Sequence, residues 1–225
     1  MKKRGNNKDM KIVAFGDSLT FGHGVPEENK WTSLLQKELG VTVINSGVNG
    51  NTSAQGLGRI KEDVLDHKPD FVLINFGMND HFLCDMGRAK VSLEEYKNNM
   101  HQIVRLVKEI GASPVLIIPH KVLEGDQGNE EGKGATYYYG RHNPLWYCSV
   151  GGANEQLKKY CAAVKALALE EKLPLVDMYT YTEDINPHNY LITLENSEEE
   201  DGVHINPWGA ELYARRIKEK LLELM

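Results

Sequence analysis

Two strand candidates, Phe71–Asn75, apolar without a break until its final Asn75, and Val115–Ile118, apolar throughout, constrain this chain most. Neither alternates between apolar and polar residues, so neither suits a sheet with one wet face. Runs of this kind fit strands buried on both sides, as in a parallel sheet covered by helices. Three further runs fit the same reading: Ile12–Phe15, Val41–Asn45 and Leu175–Val176. Longer amphipathic stretches separate them, at about Asn29–Leu39, Ala54–Asp66, Leu93–Ile110 and Asn154–Glu171. A last helix is expected over Pro207–Leu222, with Asn206 as its N-cap and Pro207 in the first-turn position that suits proline. Strands alternating with helices of this length predict an α/β fold, a doubly wound parallel five-stranded sheet between helices.

The 225 residues allow one domain with a large core, and no shift of composition marks a second, so residues 1–225 are read as a single domain. Two connections are too long for simple strand-to-helix links. One runs from 119 to 153 and is rich in glycine and aromatics, including Tyr137, Tyr138, Tyr139, Trp146 and Tyr147. The other, from 177 to 205, ends in an acidic run and then Asp201-Gly202-Val203-His204. Loops of this size in a compact domain are more often binding loops or lids than filler.

Charge and cysteine usage remove several classes of function. With 26 Lys and Arg against 32 Asp and Glu, the formal charge is −6, which argues against binding driven by nucleic-acid phosphates. No segment approaches the ~20 apolar residues of a membrane helix, and the polar opening MKKRGNNKDMK lacks the apolar stretch of a secretory signal. Cys84, Cys148 and Cys161 are an odd number without CxxC spacing, read as free thiols in a reducing compartment. A cytoplasmic protein is expected. His81 beside Asp80 suggests a metal ligand pair, but no further ligands follow at a familiar spacing, and neither metal nor cofactor is expected.

Ligands of open parallel sheets bind beyond the carboxyl ends of the strands, so the residues following each strand matter most. The first strand is followed by Gly16-Asp17-Ser18-Leu19, the second by a block from Asn45 to Thr52 that contains Gly50, and the third by Gly77-Met78-Asn79-Asp80. Asp201-Gly202-Val203-His204 stands ahead of the last helix, where Asp–x–x–His within one turn allows a carboxylate to meet an imidazole. Alone, Ser18 reads as a turn or N-cap serine, and Gly50 and Asn79 as ordinary turn residues.

Taken together and in this order, the four blocks resemble those of the SGNH hydrolases, also called GDSL esterases and lipases. The resemblance spans residues 16 to 204 and implies the family's flavodoxin-like fold. It implies that Ser18 attacks an ester carbonyl, that His204 accepts and returns its proton, and that Asp201 orients the imidazole. The backbone N–H groups of Ser18 and Gly50 and the amide of Asn79 would then receive the oxyanion. Asp17 and Asp80 match the motif and are assigned to holding the turns; Asp17 is also considered, with Tyr139 and Trp146, for substrate contact. Thr20 stands where the G-x-S-x-G elbow of α/β-hydrolases needs its second glycine, which speaks against that fold.

A serine esterase acting on a small-molecule ester is therefore expected, with a short acyl group such as acetyl on a sugar or small metabolite. A lysophospholipase or thioesterase on longer chains uses the same residues, as does an acyltransferase to an alcohol. A flavodoxin-like binding module is a further reading, but it leaves Asn79 and His204 unexplained. The aromatics of 137–147 fit a platform for sugar rings, the lining of an acyl pocket, or simple packing of the loop. The acidic run Glu198–Glu200 reads as a solvated face that disfavours anionic substrates. A homo-oligomer is left open, with no nucleic-acid partner and no membrane insertion expected.

Overall fold

The computed structural model describes residues 10–129 and 133–225. Residues 1–9, which hold most of the charged opening, and 130–132 of the long connection lie outside the described residues.

Strand β1 (Lys11–Gly16) leads into a one-turn helix α1 (Ser18–Phe21), then α2 (Trp31–Leu39) and β2 (Thr42–Gly47). Helix α3 (Ser53–Asp63) precedes β3 (Phe71–Asn75), which is followed by a small antiparallel ribbon, β4 (Leu83–Asp85) and β5 (Arg88–Ala89). Helix α4 (Leu93–Glu109), β6 (Ser113–Ile118), the short α5 (Tyr137–Arg141), α6 (Ala153–Glu170) and β7 (Leu175–Asp177) come next. Two single turns, α7 (Met178–Tyr181) and α8 (Pro187–Tyr190), lead to the terminal α9 (Pro207–Leu224). The five-stranded sheet has the order β2-β1-β3-β6-β7 with every neighbouring pair parallel.

Both faces of the sheet are dry. Along β1, Val13 and Phe15 join Ile60, Ile103 and Val164 of α3, α4 and α6 in one cluster, while Ile12 and Ala14 join Leu35 and Tyr213 of α2 and α9 in the other. This two-sided burial is the physical reason that the strands read as unbroken apolar runs. Helix α9 starts as its sequence signals indicate, with the Asn206 side chain accepting from Gly209 N and Pro207 in the first turn.

Topology fixes where a ligand can sit. The chain leaves β1 toward β2 through α2 on one face, then passes to β3 on the far side of β1 through α3 on the other. Right-handed crossovers in opposite directions open a crevice at the carboxyl ends of β1 and β3. Register brings those ends level, because Gly16 pairs with both Gly47 and Asn75. The segments carrying Ser18, Gly50 and Asn79 thus emerge from one edge of the sheet. Gly47 is required for this closeness: a Cβ there would run into the backbone of Thr20 and Phe21.

Among the described residues no helix is long and apolar enough to cross a membrane. The three cysteines are unpaired, Cys84 and Cys148 exposed and Cys161 buried. Burial pushes the Cys161 thiol up to about 12, so it is an inert packing residue.

Candidate active site

Ser18 is the first residue of α1, and Asp17 caps that turn by accepting from Leu19 N at 2.9 Å. The turn is pinned from outside by Trp31, whose indole N–H donates to Leu19 O at 2.8 Å. At the other end of the chain, Gly202 occupies the left-handed region (φ +72°), with Leu123 O and Tyr137 Cβ where a side chain would begin. This tight turn folds Asp201 back onto His204.

The two segments meet. His204 Nε2 lies 2.9 Å from Ser18 Oγ, and His204 Nδ1 lies 2.8 Å from Asp201 Oδ2. A carboxylate on Nδ1 places the ring proton there and leaves Nε2 to accept from the serine hydroxyl. Asp201 Oδ1 accepts the N–H groups of Val203 (2.7 Å) and His204 (2.6 Å), so loop and carboxylate form one unit. Asp201 is 3 % exposed. Burial pushes its carboxyl up, but the contacts with His204 and with the Arg141 guanidinium outweigh burial and hold it well below the usual carboxylate range.

Asn79 follows β3 and donates from Nδ2 to Asn51 O at 3.0 Å, which ties its turn to the Gly50–Asn51 turn after β2. The same amide also interacts with the Asp17 carboxyl, and Asn79 lines the cavity beside Ser18. Gly50 (φ +74°) is exposed and stands beside this link rather than in the lining of the cavity. Arg59, which the sequence did not single out, braces the same corner. Its guanidinium donates to Gly16 O (2.7 Å), Ser46 O (2.9 Å) and Asn51 Oδ1 (2.8 Å), joining the ends of β1 and β2 to the Gly50–Asn51 turn.

A cavity of about 250 Å³ opens beside Ser18 and Asn79. Its far wall consists of Phe82, Tyr138 and His142, with Arg141 and Val203 at the side of His204. The rings pack on one another: Tyr138 stacks on His142 with centroids 4.2 Å apart, and Phe82 meets His142 at 4.8 Å. Tyr138, Arg141 and His142 all come from the long connection, so that segment completes the cavity. Its anchor is a hydrogen-bond chain in which Leu83 N donates to Tyr147 OH (2.9 Å), with Tyr147 OH 2.8 Å from Tyr138 OH and Tyr138 OH 3.2 Å from His81 Nε2. His81 Nδ1 in turn reaches Gly77 O at 3.2 Å. Both ring nitrogens of His81 are thereby engaged, and burial pushes the imidazole down to about 4, so it reads as a neutral brace for the Asn79 turn.

Three residues considered for substrate contact do not line this cavity. Asp17 is fully buried beneath α1, where the cap to Leu19 requires it. Burial, with the charge of Asp80 added, pushes its carboxyl up to about 7. Tyr139 is 3 % exposed and donates its hydroxyl to Glu124 Oε2 at 2.9 Å, so it anchors the connection from within. Trp146 packs against the apolar cluster under α4 and α6. A larger surface groove of about 680 Å³ runs along α4 by His101, Arg105 and Lys108, remote from Ser18 and lined mainly by charged and polar side chains.

A doubly wound α/β sheet whose carboxyl edge holds a hydrogen-bonded Ser–His–Asp set beside an apolar cavity defines a protein of the serine-hydrolase class. Residues 14–212 match the GDSL-like Lipase/Acylhydrolase family. An acetylxylan esterase of Geobacillus stearothermophilus is 30% identical over 196 residues, covering 74% of this chain and 87% of that protein. An uncharacterized lipoprotein of Bacillus subtilis (strain 168) is 29% identical over 177 residues, covering 76% of this chain and 71% of that one. The crystal structure of a lipase/acylhydrolase from Enterococcus faecalis shares the fold, with a TM-score of 0.68 at 24% identity over 94% of this chain and 95% of that one. The chain belongs to the GDSL-like lipase/acylhydrolase family and is a carboxylic ester hydrolase.

Proposed function

We propose that the protein hydrolyses short acyl esters, acetyl above all, of a sugar or other small metabolite, with Ser18 as nucleophile. The observation that carries this reading is the Ser18–His204–Asp201 chain, at 2.9 and 2.8 Å, opening on a cavity of only about 250 Å³. Ligand pockets for larger molecules run to roughly 300–1,000 Å³. Behind the cavity stand Phe82, Tyr138 and His142, packed ring on ring, so an acyl chain has little depth to enter. The acetylxylan esterase relative adds support for the acetyl reading.

In this mechanism Ser18 Oγ bonds to the ester carbonyl carbon as its proton passes to His204 Nε2. Asp201 stabilises the resulting imidazolium through Nδ1–H. The oxyanion takes hydrogen bonds from the Asn79 amide and the backbone N–H of Ser18, which line the cavity, and the backbone N–H of Gly50, which the family resemblance adds, turns in from the neighbouring loop. Collapse breaks the bond to the alcohol oxygen, which leaves with the proton from His204. Water then attacks the acyl-Ser18 ester by the same route, and the carboxylic acid departs with Ser18 regenerated.

The test is the rate of wild-type protein on p-nitrophenyl esters from acetyl to palmitoyl, beside acetylated sugars and an acyl-thioester. Acetyl and butyryl esters are expected to lead. An optimum at palmitoyl would overturn the short-chain assignment and favour a lipid or thioester substrate. Transfer of the acyl group mainly to an added alcohol would replace hydrolysis with acyl transfer.

A further inference from the structure

Arg141 reaches the Asp201–His204 pair from outside all four sequence blocks. Its Nη2 donates to the main-chain carbonyl of Asp201 at 2.6 Å, and its Nη1 to Oδ2 at 3.1 Å. Oδ2 is the same oxygen that faces His204 Nδ1. Oδ1 is already taken by the N–H groups of Val203 and His204. One guanidinium thus grips both the backbone and the side chain of a residue that is itself 3 % exposed. A fork of fixed donors suits this double grip, and a lysine ammonium does not reproduce it.

The base of Arg141 is held independently. It ends α5, whose Tyr138 is tied to Tyr147 and His81 through its hydroxyl and to Leu123 O through its N–H at 3.2 Å. Leu123 N donates in turn to Gly202 O at 2.8 Å, inside the turn between Asp201 and His204. The long connection therefore meets the Asp–His loop through His120 on Val203 O, Leu123 on Gly202 O and Arg141 on Asp201, and Arg141 is the contact with charge.

We propose that Arg141 is a positioning residue of the hydrolytic site, fixing the Asp201–His204 loop and sharing the Asp201 carboxylate with the imidazolium that forms during attack. This rests on the reading of Ser18 as nucleophile and His204 as its base. When His204 takes the proton of Ser18, two cations lean on one carboxylate oxygen. Removing Arg141 leaves that carboxylate to the imidazolium alone, which favours protonated His204 and weakens it as a base at lower pH.

Other titratable groups face His204. His23, from the turn after α1, has its ring centroid 4.4 Å away, and burial together with the His204 charge holds it below its usual value. His120, at the end of β6, is buried behind the loop, bonded to Val203 O and Tyr213 OH, and pushed down to about 4. Glu199 acts on His23 from the acidic run, and His142 stands across the cavity, pushed down to about 4 by burial and by Arg141 and Lys90. Arg141 is the cation in direct contact with the pair.

The test is the pH profile of kcat and KM for p-nitrophenyl acetate in wild type, R141Q and R141K, with each rate divided by the fraction of protein that a fluorophosphonate labels. That division removes misfolded molecules, which a merely structural role would produce. In R141Q the acid limb of kcat/KM is expected to move up in pH relative to wild type. Its kcat at neutral pH falls about tenfold with KM little changed. R141K, which keeps charge without the fork, is expected to hold the acid limb near wild type while kcat falls. Normalised profiles of both variants that superimpose on wild type would overturn the proposal. If R141Q fails to fold, R141K alone decides: an unchanged kcat overturns the proposal, and a reduced kcat on an unmoved acid limb supports it. A wild type that neither labels nor hydrolyses would instead overturn the nucleophile reading, and the proposal with it.

Discussion

Ser18 Oγ and His204 Nε2 are 2.9 Å apart, although the two residues are separated by 186 positions in the chain. The sheet makes this contact: β1 ends at Gly16, and α9, which begins at Pro207, packs against α2 on the face opposite α3, α4 and α6. The loop before α9 is thereby carried back over the turn after β1. The turn that carries Ser18 is seated on Gly47 and capped by Asp17, and the proposed mechanism depends on it.

The Asn79 amide is assigned to the oxyanion, so Asn79→Ala is expected to lower kcat by about 10²–10³ with a much smaller change in KM. Steady-state kinetics on p-nitrophenyl acetate measure the split. A rise in KM at unchanged kcat would assign Asn79 to ground-state binding or to its link with Asn51 alone.

Phe82 closes the cavity against His142, with the Lys90 ammonium over its ring, 4.8 Å from the centroid. Phe82→Ala removes that wall. The ratio of hexanoyl to acetyl turnover, as kcat/KM, is expected to rise about tenfold or more, the scale of a few methylene groups gaining room. An unchanged ratio would place the acyl chain elsewhere.

Asp17 supplies a stability prediction with a definite sign. Its carboxyl is pushed up to about 7 by burial, against an ordinary value of 3.8, so the folded state binds its proton more tightly than the unfolded state. This stabilisation is complete below the unfolded value and is lost as pH rises through about 7. Asp17→Asn keeps the shape without the ionisation. Its Tm relative to wild type is therefore expected to improve between pH 5 and pH 8, at roughly 2–4 °C per kcal/mol for a chain of this size. Parallel Tm-against-pH curves for the two proteins would contradict it. Asp80, pushed up to about 6 by burial, remains in both proteins and gives both a residual slope.

Much of this architecture is legible in the residues because the forces are local or periodic. Val72–Ile74 and Val115–Ile118 are apolar without a break since both faces of the sheet are covered, and Asn206-Pro207 marks the start of α9 through one side-chain cap. Ser18, Asn79, Asp201 and His204 stand out because each follows a strand end or precedes a helix. The far wall of the cavity is another matter. Tyr138, Arg141 and His142 belong to a connection with no periodicity, and their placement depends on pairings such as Leu123 with Gly202 and Tyr147 with Leu83. In the same stretch Tyr139 and Trp146 carry equal aromatic promise and turn inward. Spacing gives no sign of which ring faces the cavity, since that choice is made by long-range contacts. Arg59 is hidden for a similar reason: besides Asp63 on its own helix, its acceptors lie on β1, β2 and the turn that follows β2.

The central claim is that Ser18 is a nucleophile activated by His204. It is tested most directly by measuring p-nitrophenyl acetate hydrolysis and fluorophosphonate labelling of wild type and Ser18→Ala side by side, with the labelled peptide located by mass spectrometry. The account predicts one adduct on the peptide carrying Ser18, and loss of both labelling and hydrolysis in the variant, whose residual rate sits ~10³-fold or more below wild type. Hydrolysis by Ser18→Ala at the wild-type rate, or a label on a different residue, would contradict it.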